Sequence, residues 1–96
     1  MNPIYKLAEH VTYRSTNSEL KMLFDRQHGV MYELNETASR IIELLNESPC
    51  SIDVLVQRLA EEYEVDLEDL RTDIERFLND FVSAHLLTVI PSEVVE

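Results

Sequence analysis

The stretch "VMYELNETASRII", from Val30 to Ile42, changes its hydrophobic period in the middle. Up to Leu34 the apolar side chains alternate, with Val30, Tyr32 and Leu34 on one side. From Asn35 onward they recur at helical spacing, at Ala38, Ile41, Ile42 and Leu45. Period two buries one face of a strand, and the i, i+3, i+4, i+7 pattern buries one face of a helix. The chain must therefore pass from strand to helix with no linker between them. Asn35 suits the junction, because its side chain can accept a backbone N–H of the first helical turn. Glu36 follows where the helix dipole favours an acid.

The residues on either side extend the division. Upstream, "HVTYR" alternates through Val11 and Tyr13, "NSEL" reads as a turn, and "LKMLFD" sets Leu20, Met22 and Phe24 opposite Lys21, Leu23 and Asp25. "RQHG" interrupts the alternation before "VMYEL". Gly29 is the single glycine of the chain, and a hairpin turn is where positive φ is needed. Downstream, "NESP" ends the first helix and Ser51 caps a second with Ile52, Leu55, Val56, Leu59, Ala60 and Tyr63 on one stripe. Asp66 caps a third, with Leu67, Leu70, Ile74, Phe77, Leu78, Phe81 and Val82 facing inward. His85 stands where a C-capping glycine is often found. "LLTVI" is a candidate short final strand and "PSEVVE" reads as a frayed tail. The expected fold class is α+β: a small three-stranded antiparallel sheet, then three helices, resembling a winged helix-turn-helix. Each helix has one apolar stripe and must pack on the others and on one sheet face.

A chain of 96 residues makes one domain with a modest core, expected to be ordered from about residue 8 to 90. It lacks a membrane-length apolar run and a signal-peptide core, and its lone Cys50 makes no internal disulfide, so a cytoplasmic location is expected. The net charge is −11, and the eight Lys and Arg residues are scattered. Nucleic-acid binding draws on clustered basic residues, so neither nucleic acid nor an anionic membrane is an expected partner. No metal, cofactor or catalytic motif is present: His10, His28 and His85 lack ligand spacing, Cys50 has no evident base, and no glycine-rich phosphate loop occurs.

The stretch "LFDRQHGVMYELNETASRIIELL" resembles the PqqD-like family of precursor-peptide recognition elements, which serve ribosomally made, modified peptides. Asp25, Gly29, Tyr32, Leu34, Asn35, Thr37, Ala38, Ile41 and Ile42 carry the resemblance, and helix order and hydrophobic spacing extend it more weakly over residues 11 to 88. Two departures stand out. "NESPCS" replaces a Cys-Asp-Gly loop common in the quinone-cofactor members, and Ala84-His85 replaces a glycine before the final Leu-Leu. The stand-alone leader-binding proteins of lasso-peptide clusters look closer. The resemblance implies a non-catalytic module without cofactors. It implies as partners a precursor leader peptide and a maturation enzyme, whether leader peptidase, cyclase or radical SAM enzyme.

In that family the leader adds as a strand beside the third strand and lies against the third helix. Transferred here, the binding residues are Val30, Met31, Tyr32, Glu33 and Leu34 on the strand. On the third helix, helical geometry puts Leu70 and Phe77 at one margin of the apolar arc, Asp73 just beyond them and Asp69 and Arg76 further round, and these five are the expected contacts there. An edge strand offers unpaired backbone groups to such a ligand. Other readings remain: a winged-helix transcription regulator, a PqqD-type chaperone of quinone-cofactor biosynthesis, and a small enzyme or carrier. The first of these calls for a basic recognition helix, whereas acids outnumber Arg71 and Arg76 in "DLEDLRTDIERFLNDF".

Overall fold

The computed structural model describes residues 3–16 and 20–90; the expected turn "NSEL", except for Leu20, and the tail at residues 91–96 lie outside them. The elements in chain order are β1 (Ile4–Leu7), β2 (Val11–Ser15), β3 (Lys21–Asp25), β4 (Val30–Leu34), α1 (Glu36–Glu47), β5 (Cys50–Ser51), α2 (Ile52–Glu62), α3 (Leu67–Ser83) and β6 (Leu87–Ile90). They build two antiparallel three-stranded sheets, one in the order β2-β3-β4 and one in the order β5-β1-β6.

The β2-β3-β4 sheet follows the alternation of its sequence. Its inward rows are Val11–Asp25–Val30, Tyr13–Leu23–Tyr32 and Ser15–Lys21–Leu34, and its outward rows are Thr12–Phe24–Met31 and Arg14–Met22–Glu33. Leu23 is fully buried under α1. Gly29 closes the hairpin at φ +68, and its N–H donates to the Asp25 carbonyl at 2.8 Å. At the strand-to-helix junction the Asn35 side chain accepts the Ala38 N–H at 2.7 Å.

All three helices start at the expected caps, Asn35, Ser51 and Asp66. Ile41, Ile42, Leu45, Leu55, Leu59, Ile74 and Leu78 meet in one core. Leu67 corrects the expected inward stripe of α3: it is 58% exposed. It opens the helix, beside the exposed Val65, so the stripe enters the core only at Leu70, three residues later. At the other end, His85 donates to the Val82 carbonyl at 3.0 Å and Leu86 to the Phe81 carbonyl at 2.9 Å. With His85 at φ 65, these bonds form a Schellman C-cap, which normally recruits glycine.

The second sheet adds strands absent from the sequence expectation. The candidate final strand is present as β6, and it pairs with β1, so the ordered structure begins before residue 8. Cys50 sits in β5, opposite Tyr5. Burial pushes its thiol pKa up, against the pull of Arg58, which makes it a poor nucleophile.

A polar hub ties the helices to the first sheet. Glu43 on α1 accepts from Tyr13 Oη at 2.6 Å, Lys21 Nζ at 3.2 Å and Arg40 at 3.1 Å. Arg40 also forks onto Glu62 of α2 at 2.7–3.0 Å. The Tyr13 hydrogen bond holds the Glu43 carboxyl below its usual pKa, outweighing the opposing effect of burial. Burial and the Glu43 carboxylate push the Tyr13 phenol up to about 12.

Candidate functional site

β4 is an edge strand, and the hydrogen-bond directions identify what its edge offers. Between β2 and β3, Arg26 N–H donates to the His10 carbonyl at 2.8 Å and Thr16 N–H to the Leu20 carbonyl at 2.9 Å. Even-numbered residues along β3 therefore turn their backbone groups toward β2, and odd-numbered ones turn theirs toward β4. Asp25, Leu23 and Lys21 lie opposite Val30, Tyr32 and Leu34. Those three β4 residues thus exchange bonds with β3, while the N–H and C=O of Met31 and Glu33 point off the sheet. No strand of the described residues pairs with them, and both residues are exposed, Met31 at 53%. This is a template for an added strand about 4.8 Å away.

The edge leads at its Asn35 end into a groove of about 490 Å³ between the start of α1 and α3. Thr37, Ala38 and Ile41 form one wall, Leu70, Ile74 and Phe77 the other, and Tyr63 and Val65 close it. Asp66, Asp69 and Asp73 rim it. Asp66 is already engaged, since one carboxylate oxygen accepts the N–H groups of Glu68 at 2.8 Å and Asp69 at 3.4 Å. Phe77 is stacked on Phe81 at 4.1 Å between ring centroids, so its position in the wall is braced. Burial raises the Tyr63 phenol, helped by the carboxylates of Glu36 and Glu62. The result is an apolar trough with an acidic lip, suited to apolar side chains next to a cation.

Of the residues expected from sequence, Asp69, Leu70, Asp73 and Phe77 are brought together in the groove, and Arg76 is not part of its lining. Val30, Met31, Tyr32, Glu33 and Leu34 form the adjoining edge rather than the groove itself. Tyr63, Val65 and the α1 wall line the groove as well and are not among the residues expected from sequence. Ala38 and Ile41 were legible as core positions and as carriers of the family resemblance, and Tyr63 as the last residue of the α2 stripe.

The hairpin that presents the edge is fastened by a cluster also missed in the sequence. His10 and His28, eighteen residues apart in the chain, have ring centroids 6.4 Å apart across Asp25. The Asp25 carboxylate, 2% exposed, accepts the N–H groups of Gln27 at 2.9 Å and His28 at 3.1 Å. It also meets His28 Nδ1 at 2.7 Å. Burial pushes its pKa up, but the bonds from the His28 ring and the two backbone amides outweigh that and hold it below the usual value. His10 Nε2 lies 3.8 Å from the same carboxylate, buried and without a hydrogen-bond partner. Among the described residues no group of three His, Cys, Asp or Glu side chains is disposed to hold a metal, and no helix is long and apolar enough to cross a membrane.

Comparison with known proteins agrees with this fold. The fold matches the solved structure of lasso peptide synthetase B1 complexed with the leader peptide, with a TM-score of 0.75 and 25% identity over 88% of this chain and 96% of that one. It also matches TbiB1 in complex with the TbiA(beta) leader peptide, with a TM-score of 0.78 and 24% identity over 95% and 99% of the two chains. No curated protein sequence matches the chain. The family model of coenzyme PQQ synthesis protein D (PqqD) matches residues 21–87. That span runs from the first residue of β3 to the first residue of β6 and contains the edge, the groove and all three helices, so this chain belongs to the PqqD family.

Proposed function

We propose that this protein binds the leader segment of a ribosomally made precursor peptide by strand addition to β4 and presents it to a maturation enzyme, lasso-peptide maturation being the favoured setting. The observation that carries the reading is the outward-pointing backbone of Met31 and Glu33 beside an apolar groove. Backbone pairing gives sequence-tolerant affinity, and the groove selects the side chains on the inward side of the added strand. An antiparallel leader runs opposite to β4, so the part preceding its paired residues reaches Asn35 and the groove. Leu70 and Phe77 meet its apolar side chains, Asp69 and Asp73 meet a basic neighbour, and Arg76 meets an acidic one at the outer margin. The likeness of the fold to a lasso peptide synthetase B1 solved with a leader peptide supports leader binding.

The protein takes no chemical step in this reading; it raises the local concentration of the substrate peptide at an enzyme. The test is a titration of fluorescently labelled leader peptides from precursor genes neighbouring this one. Saturable binding at micromolar concentration, with no change in peptide mass on prolonged incubation, is expected. Absence of binding to every such peptide at tens of micromolar overturns the proposal.

A further inference from the structure

The outer face of the β2-β3-β4 sheet is the part of the first sheet that the reading above leaves unused. Its two rows are Thr12–Phe24–Met31 and Arg14–Met22–Glu33. Phe24 and Met22 are half-buried yet take no part in the core, which draws on Tyr13, Leu23 and Tyr32 from the opposite face. This face carries one base and one acid, on a molecule whose net charge is −11. An apolar strip of Met22, Phe24 and Met31 on a face without net charge, in an otherwise acidic molecule, has the character of an interface centre.

The face is also continuous with the peptide edge, because Met31 belongs to both. Side chains of an added strand alternate between the two sides of the sheet. One set enters the side of the helices and the groove; the other emerges on the outer face, next to Met31 and in line with Phe24 and Thr12. The outer face therefore changes composition when the carrier is loaded. A surface made jointly by carrier and substrate is where an enzyme distinguishes the loaded carrier from the empty one.

We propose that this outer face, centred on Met22, Phe24 and Met31, is the docking surface for the enzyme that processes the bound peptide, and that the enzyme meets it with an apolar patch ringed by Lys and Arg. The inference rests on the leader-binding function proposed above. A basic rim complements the −11 charge and speeds encounter. A second copy of this chain fits less well, since pairing two such faces brings together two molecules of the same strong negative charge.

The test uses the full chain, its leader peptide and the leader peptidase encoded beside the precursor gene. Met22→Thr/Phe24→Thr replaces the apolar centre with residues that keep strand propensity and leaves the peptide edge intact. Thr12→Glu places a charge in the same row, two strands away from that edge. Both variants are expected to bind labelled leader as the wild type does. Both should need about tenfold more carrier for half-maximal processing, as for loss of an interface anchor. Processing by both variants at wild-type carrier concentrations overturns the docking surface. So does loss of leader binding by both, which makes the face structural, or a wild-type dimer in sedimentation that both variants abolish, which makes it a self-association surface. If the wild type itself fails to bind leader, the proposed function fails first, and the two failures are told apart by that one control.

Discussion

His85 is the non-glycine residue with left-handed backbone among the described residues, at φ 65. A side chain in that conformation costs about 1–2 kcal/mol, and the Schellman bonds of Leu86 and His85 hold it there. His85→Gly should therefore stabilise the protein, by roughly 0.5–1 kcal/mol after the greater entropy of glycine in the unfolded chain is deducted. A rise of a few degrees in Tm is expected, with His85→Ala giving no comparable gain. Asp25 is a second residue whose effect has a sign. Its folded pKa is depressed, so its contribution is present above the unfolded value of about 3.9 and is lost as pH falls through the folded value. Urea melts between pH 6 and pH 2 should show stability falling in the acid range, with a shallower slope for Asp25→Asn. Equal slopes in the two proteins would remove Asp25 from the acid response.

Among the elements, β4 has the most specific behaviour to check. Proline removes a backbone donor, and the donors of alternate β4 residues have different destinations. Met31→Pro removes an outward N–H and should abolish leader binding while leaving a folded protein. Tyr32→Pro removes a bond to β3 and should damage folding itself, as read by circular dichroism and Tm. If proline at both positions leaves folding and binding intact, the edge assignment is wrong. This element was legible in the sequence because everything that defines it is local: the alternation, Gly29 and the Asn35 cap lie within a few residues of one another. β1 and β5 were not legible for the opposite reason. All four residues of β1 are half-buried, so it shows no alternation, and its strand partners β5 and β6 lie far away in the sequence. β5 has two residues, Cys50 and Ser51, and exists only through β1. The His10–Asp25–His28 cluster was hidden in the same way, since it forms only when β2 and β3 pair.

Across the whole molecule, the −11 charge and the acidic lip of the groove work in one direction. A basic leader should associate faster at low ionic strength, with the rate falling as salt is added. Asp73→Ala should weaken binding of such a leader by roughly 0.5–1 kcal/mol at low salt, as for a rim charge, and by less at high salt. Stopped-flow association at several salt concentrations measures both effects. Identical salt slopes for wild type and Asp73→Ala would take Asp73 out of the site, and a rate that rises with salt would make Arg76 the better contact. The groove as a whole was only half legible. α3 supplied its residues by helical geometry, whereas Tyr63, Val65 and the α1 wall join it only through the packing of α2 and α3 against α1.

Strand addition to β4 is tested most directly by amide hydrogen exchange, followed by NMR, with and without the leader peptide. The amides of Val30, Tyr32 and Leu34 are already bonded to β3 and should change little. Those of Met31 and Glu33 point off the sheet, and they should become strongly protected when the leader binds. Saturating leader that protects groove residues of α1 and α3 but leaves Met31 and Glu33 exchanging as in the free protein would contradict binding by strand addition.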